Sequence, residues 1–190
     1  MNIAWKLLIA FIILIVIIRV IRAVAMKGNA KRIATQMKEI DEVFDTTPGF
    51  AKSVRYIGID GLCGIAIDEK KCKLCFVTVD PEKIDGSVKY FVLNAADIEK
   101  SSIIEDGDEV AASARQTDTG ARVESGVVRT PDDQGIAKRI DLSVLAMIPE
   151  DCVFKICFMD ATSMSDGDDY KNAHSEAHAW HVRVSAMMRS

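Results

Sequence analysis

Only five of the 190 residues are cysteine, at irregular spacing: Cys63, Cys72, Cys75, Cys152 and Cys157. An odd set of this kind fits no disulfide framework, and reduced thiols are expected. Charge of one sign is also scarce. Twenty-eight acidic against 24 basic residues leave a net charge of −4, which gives no reason to expect a nucleic-acid partner. Signatures of catalysis are missing too: there is no GxSxG nucleophile elbow and no GxxxxGK phosphate loop. Gly58, Gly61 and Gly64 bracket a hairpin rather than open a helix. The acidic stretches Glu105-Asp106-Gly107-Asp108-Glu109 and Asp166-Gly167-Asp168-Asp169 lack the alternating oxygen ligands and distal Glu of a calcium loop. Turn and cap roles explain them. No residue is assigned a catalytic or cofactor-binding role, and no cofactor is expected.

What is present begins with Leu7 to Ile18, LLIAFIILIVII, an unbroken apolar run. On an insertion scale it favours the bilayer by about 3 to 7 kcal/mol. Its own rise of about 18 Å is short of a hydrocarbon core of about 30 Å. The flanks lengthen it, and the reading is a transmembrane anchor within residues 1–26, spanning Ile3 to Val24. Trp5 serves as interfacial anchor, with Lys6, Arg19 and Arg22 reaching for head groups. Ala23-Val24-Ala25 resembles a cleavage site, but Arg19 and Arg22 stand where a signal peptide wants neutral residues. Arg19, Arg22, Lys27, Lys31 and Arg32 all follow the run, so the positive-inside rule keeps the rest of the chain on the cytoplasmic side of the membrane. Reduced thiols agree with that side.

Residues 27–48 form an amphipathic linker helix. Ile33, Met37, Ile40 and Phe44 recur at helical spacing among charges, and Thr46-Thr47-Pro48-Gly49 ends the pattern. A stretch of two heptads over 26–44 is short for a dimerising coiled coil. Packing on the following domain is the preferred role, with self-assembly through 26–44 as the alternative.

From residue 49 to 190 the period changes to two. Asp60-Gly61 joins Tyr56–Ile59 to Leu62–Ile67, and strands follow at Cys72–Val79, Ser87–Leu93, Ile98–Glu105 and Glu109–Ala114. Asp85-Gly86 and Asp106-Gly107 are further hairpin turns. Local connections of this kind predict an antiparallel meander. Gln116 to Lys138 reads as an exposed loop, then Ile140–Ile148 and Val153–Met159 as strands joined by Pro149-Glu150-Asp151. A last helix, 168–189, carries Tyr170, Ala173, Ala177, Trp180, Val184 and Met187 as an apolar stripe centred on Trp180. Ser165, Asp166, Asp168 and Asp169 supply its cap and first-turn acids. The fold class is α+β, mainly β.

Tyr56-Ile57-Gly58-Ile59, Gly64 to Glu69, Ala96-Asp97-Ile98, Ile103 to Gly107 and the Trp180 helix together resemble membrane-associated bacterial proteins of pleckstrin-homology-like type. The resemblance covers Phe50 to Arg189 and implies a β barrel of two orthogonal sheets capped by the last helix, with Gly61, Gly107 and Trp180 as structural residues. Lipid-binding members grip phosphoinositides with a basic loop between the first two strands. Here that loop is Asp60-Gly61, without a basic side chain, so that activity does not carry over.

Two constellations invite metal chemistry. Cys72-x-x-Cys75 has no second CxxC, and in a strand its thiols point to opposite faces; Cys152-x4-Cys157 shares the parity problem. His174, His178 and His181 line one helical face at i, i+4 and i+7, but without an HExxH glutamate, and that face is expected to be wet. Arg115, Arg122, Arg129, Lys138 and Arg139 flank the long loop among acids and are read as solvated. The function expected is a membrane-tethered, non-catalytic binding or scaffolding module with a protein partner met at a sheet edge or that loop. The alternative is a tethered metal-binding protein or metalloenzyme using the three histidines.

Overall fold

A computed structural model describes residues 3–80, 87–115, 137–147, 152–161 and 167–189. The turns expected at Asp85-Gly86 and Pro149 to Asp151, most of the 116–138 loop, and the caps Ser165 and Asp166 lie outside them, as do the side chains of Trp5, Lys6 and Arg22. The elements are α1 (Ile3–Thr46), β1 (Val54–Ile57), β2 (Cys63–Asp68), β3 (Lys73–Val79), β4 (Val88–Asn94), a 3-10 turn (Ala95–Asp97), β5 (Ile98–Glu105), β6 (Asp108–Ala114), β7 (Arg139–Ala146), β8 (Cys152–Asp160) and α2 (Gly167–Met188). Two compact units result, Met1–Thr35 and Gln36–Ser190.

The anchor and linker expected as separate helices are one helix, and the membrane span is corrected. Among the described residues no helix is long and apolar enough to cross a membrane. The uninterrupted apolar run covers twelve residues, and the helical assignment continues without a break past Arg19, Arg22 and Lys27 into charged sequence. Ile15, Ile17 and Arg19 are exposed.

In the larger unit two separate four-stranded antiparallel sheets form, ordered β1-β2-β3-β4 and β6-β5-β7-β8. The expected barrel is therefore corrected too: the ladder is broken between β4 and β5, and the described strands form no closed barrel. The 3-10 turn makes the break. Asp97 Oδ2 accepts the Asn94 N–H at 2.8 Å, which ends β4 and redirects the chain. The first sheet is the expected meander. The second is not, because β5 pairs with β6 on one side and β7 on the other.

The turns explain the local hairpins. Asp106 (φ +50°) and Gly107 (φ +97°) are both left-handed, the backbone of a type I′ hairpin. The Asp106 carboxylate also accepts the Lys138 and Arg139 N–H groups, each at 2.9 Å, which brings β7 beside β5. In the other hairpin Gly61 (φ +68°) donates its N–H to Gly58 O at 2.8 Å, and Asp60 Oδ1 accepts the Leu62 N–H at 3.0 Å.

The main core lies between the sheets and α2. Ile65, Ile67, Leu74, Phe76 and Leu93 of the first sheet meet Ile103, Leu142, Val144, Ile156 and Phe158 of the second, with Trp180 fully buried among them. Tyr56 stacks on Phe158 at 4.1 Å and Phe76 on Phe154 at 4.3 Å, so aromatic pairs join the two sheets. A second, smaller core covers the opposite face of the first sheet: Ile40, Phe44 and Phe50 pack on Ala66, Cys75, Val77 and Val79. The helical stripe thus packs on the domain through Ile40 and Phe44. Gly64 permits it, since a Cβ there would stand 2.6 Å from Ile40 Cγ2 and 3.0 Å from Phe44 Cζ. β2 is buried along its whole length for this reason.

Candidate functional site

Strands with unpaired outer backbone are where a sheet protein is open to partners, so each sheet edge is a possible site. Three of the four edges are guarded. β1 is only four residues long, with Arg55 ion-paired to Asp41. β6 opens with Asp108-Glu109 and carries a register shift against β5. β8 has a register shift against β7, exposes Lys155 and Asp160, and is already bonded from outside by the Ile59 N–H to Cys157 O at 3.0 Å.

β4 has none of these devices. It pairs with β3 over seven residues with no shift in register, contains no proline, and has Lys89 as its one charged side chain. Parity fixes which groups point outward. The flanking bonds Ala95 N–H to Cys72 O (3.2 Å) and Asp80 N–H to Ser87 O (3.3 Å) mark those two pairs as hydrogen-bonded. Hydrogen-bonded and non-bonded pairs alternate in an antiparallel ladder. Lys89, Phe91 and Leu93 therefore face β3 with their backbone, whereas Val88, Tyr90, Val92 and Asn94 face away. The Asn94 N–H is taken by Asp97. For Val88, Tyr90 and Val92 the outward N–H and C=O groups meet no partner among the described residues. The side chains match an open edge: Tyr90 is 50% exposed, and Val88, Phe91 and Val92 are half-buried.

The histidine row is dispersed by burial. His178 is exposed, and His174 is half-buried with Nε2 3.5 Å from Glu105 Oε1, an oxygen that also accepts the Tyr170 hydroxyl at 3.1 Å. His181 is buried, which corrects the expectation of a wet face. The buried stripe of α2 runs Ala177, Trp180, His181, Val184, Ser185, Met188, the broad pattern that takes in both i+3 and i+4 neighbours. The Ser101 hydroxyl lies 3.0 Å from His181 Nδ1 and the Ser113 hydroxyl 3.3 Å from Nε2. Ser101 and Ser113 are cross-strand partners, so β5 and β6 together present the pair. A neutral imidazole is satisfied there, donating to one hydroxyl and accepting from the other. Burial and, secondarily, His178 hold its pKa below the ordinary value, against Glu109.

Cys72 sits not in β3 but in the preceding turn, exposed and with φ +51°, while Cys75 is buried in the smaller core. Burial pushes the thiols of Cys63 and Cys157 up to about 12 and that of Cys75 up to about 11, so all three act as apolar side chains. Among the described residues no group of three His, Cys, Asp or Glu side chains is placed to hold a metal ion. The acidic turn is engaged by protein donors: Glu105 as above, Asp106 by backbone, and Glu109 by Lys100 at 2.6 Å.

Of the basic series, Arg115 donates to Ala95 O at 2.6 Å. Arg139 gathers Asp141 (2.7 Å), Asp160 (3.5 Å) and Asp60 (3.8 Å) at the corner where the sheets meet, while Arg122 and Arg129 lie outside the described residues. Sequence reasoning named a sheet edge without saying which. The signal it could have used is VKYFVLN itself, rich in β-branched and aromatic residues, free of proline and with a single charge. No family model, no curated protein and no solved structure matches the chain.

Proposed function

We propose that the unit Gln36–Ser190 is a non-catalytic binding module that takes an extended protein segment onto the outer edge of β4. The observation that carries this is the contrast among edges: among the described residues β4 keeps open donors and acceptors at Val88, Tyr90 and Val92, while the other three edges are short, shifted, charged or already bonded. Main-chain bonds supply affinity in this mode, and alternate side chains supply specificity. Half-buried Phe91 and Val92 favour an apolar, β-branched or aromatic incoming strand.

Selection of displayed random peptides on the full chain tests it. The expected peptides are extended and alternating, and lose binding to a Val92→Pro variant, which deletes an outward N–H without touching the bonds to β3. Peptides that bind Val92→Pro as well as the parent would remove β4 from the site.

A further inference from the structure

Taking the open edge as the binding site, we infer that its occupant is a second copy of this chain, paired antiparallel about a two-fold axis through Tyr90. The outward residues Val88, Tyr90 and Val92 are symmetric about their middle member. Antiparallel pairing there sets Tyr90 against Tyr90 of the second copy, Val88 against Val92, and Val92 against Val88. Each of these is a hydrogen-bonded pair that exchanges both bonds, so every outward donor and acceptor of the three residues is closed in both copies. The contact is isologous and self-limiting, joining two four-stranded sheets into one of eight.

The side chains agree with this register. Tyr90 meets its own copy on one face, flanked by Val–Val pairs, the aromatic and β-branched combinations that stabilise neighbouring strands. On the other face Lys89 stands opposite Phe91 of the second copy, so no like charges meet. Neighbouring registers are worse. An axis through Phe91 pairs Val88 with Asn94, whose N–H Asp97 already holds. An axis through Lys89 sets two ammonium groups face to face. Lys89 on one side and the Asn94–Asp97 bond on the other thus select a single register.

Site-directed cross-linking of the full chain in a Cys72→Ser background tests this, since Cys72 is the exposed native thiol. Under mild oxidation Tyr90→Cys should form a disulfide-linked dimer with itself. Val88→Cys alone should not, but mixed with Val92→Cys it should cross-link. Tyr90→Lys, which leaves α1 and its apolar run intact, should raise the dimer dissociation constant at least tenfold, as expected of opposed like charges. Cross-linking of Val88→Cys with itself as readily as Tyr90→Cys, or no cross-link at either, overturns the pairing. If that happens while displayed peptides still require β4, the second copy is ruled out and the edge remains the site. If the peptides are also indifferent to Val92→Pro, both readings fall.

Discussion

The two sheets of the larger unit solve the same edge problem differently. The second sheet guards both of its edges: register shifts interrupt β5–β6 and β7–β8, charges stand at the start of β6 and along β8, and Ile59 bonds β8 from outside. The first sheet is regular throughout, with both faces covered, one by the main core and one by Ile40 and Phe44. Its regularity leaves the outward backbone of Val88, Tyr90 and Val92 without a partner among the described residues. Faces are settled by packing, whereas edges must be settled by special residues, and β4 has none.

The largest expected effect separates the two cores. Trp180 is buried where both sheets and α2 meet, so Trp180→Ala should cost about 4–5 kcal/mol, read as a fall in the urea midpoint. Phe44→Ala empties only the smaller core and should cost about 3 kcal/mol, with amides of β5, β7 and β8 still protected against exchange. Equal losses of protection in both variants would show that the cores are not separate. Gly64→Ala should cost about 1–3 kcal/mol, because its Cβ collides with Ile40 and Phe44. Gly107→Ala, at a left-handed turn with open space around it, should cost less and slow only the β5–β6 hairpin.

A pH scan sharpens the comparison inside the second sheet. The His181 pKa is depressed in the folded state, first by burial and then by His178, so the unfolded chain binds the proton more readily. Stability should therefore be level above about pH 6.5 to 7 and decline as pH falls below the unfolded value near 6.5. His181→Asn should flatten that decline relative to the parent. The first sheet has its titration lower. Burial pushes the Asp68 carboxyl up, but the N–H groups of Ala51 and Lys71, with the Lys71 ammonium, hold it below the ordinary value. Its contribution should persist above about pH 4 and be lost as pH falls further, an effect that Asp68→Asn should abolish. The smallest effect is the edge itself: Val92→Pro should change stability by under about 1 kcal/mol, because the N–H it deletes points outward.

Most strands could be read from the chain because alternation and Asp-Gly turns are local signals. Tyr56 to Ile67 and Ile98 to Ala114 lie within a residue or two of their expected bounds. What could not be read depends on distant partners. The order of the second sheet rests on Asp106 capping the start of β7, across a segment of more than thirty residues. The double burial of β2 rests on a helix approaching Gly64, and Gly-Ile-Ala-Ile reads equally well as a strand buried on one face. His181 escaped because the stripe was taken one row too narrow, ending at Met187 where Met188 is the buried residue. The apolar run drew a membrane span because its composition is extreme, although its unbroken length is too short.

Amide hydrogen exchange along β4, measured by NMR on the full chain at high dilution, tests the open edge most directly. Val88, Tyr90 and Val92 should exchange at least about 100-fold faster than Lys89, Phe91 and Leu93, in strict alternation. Uniform protection of all six at dilution would contradict an open edge on β4.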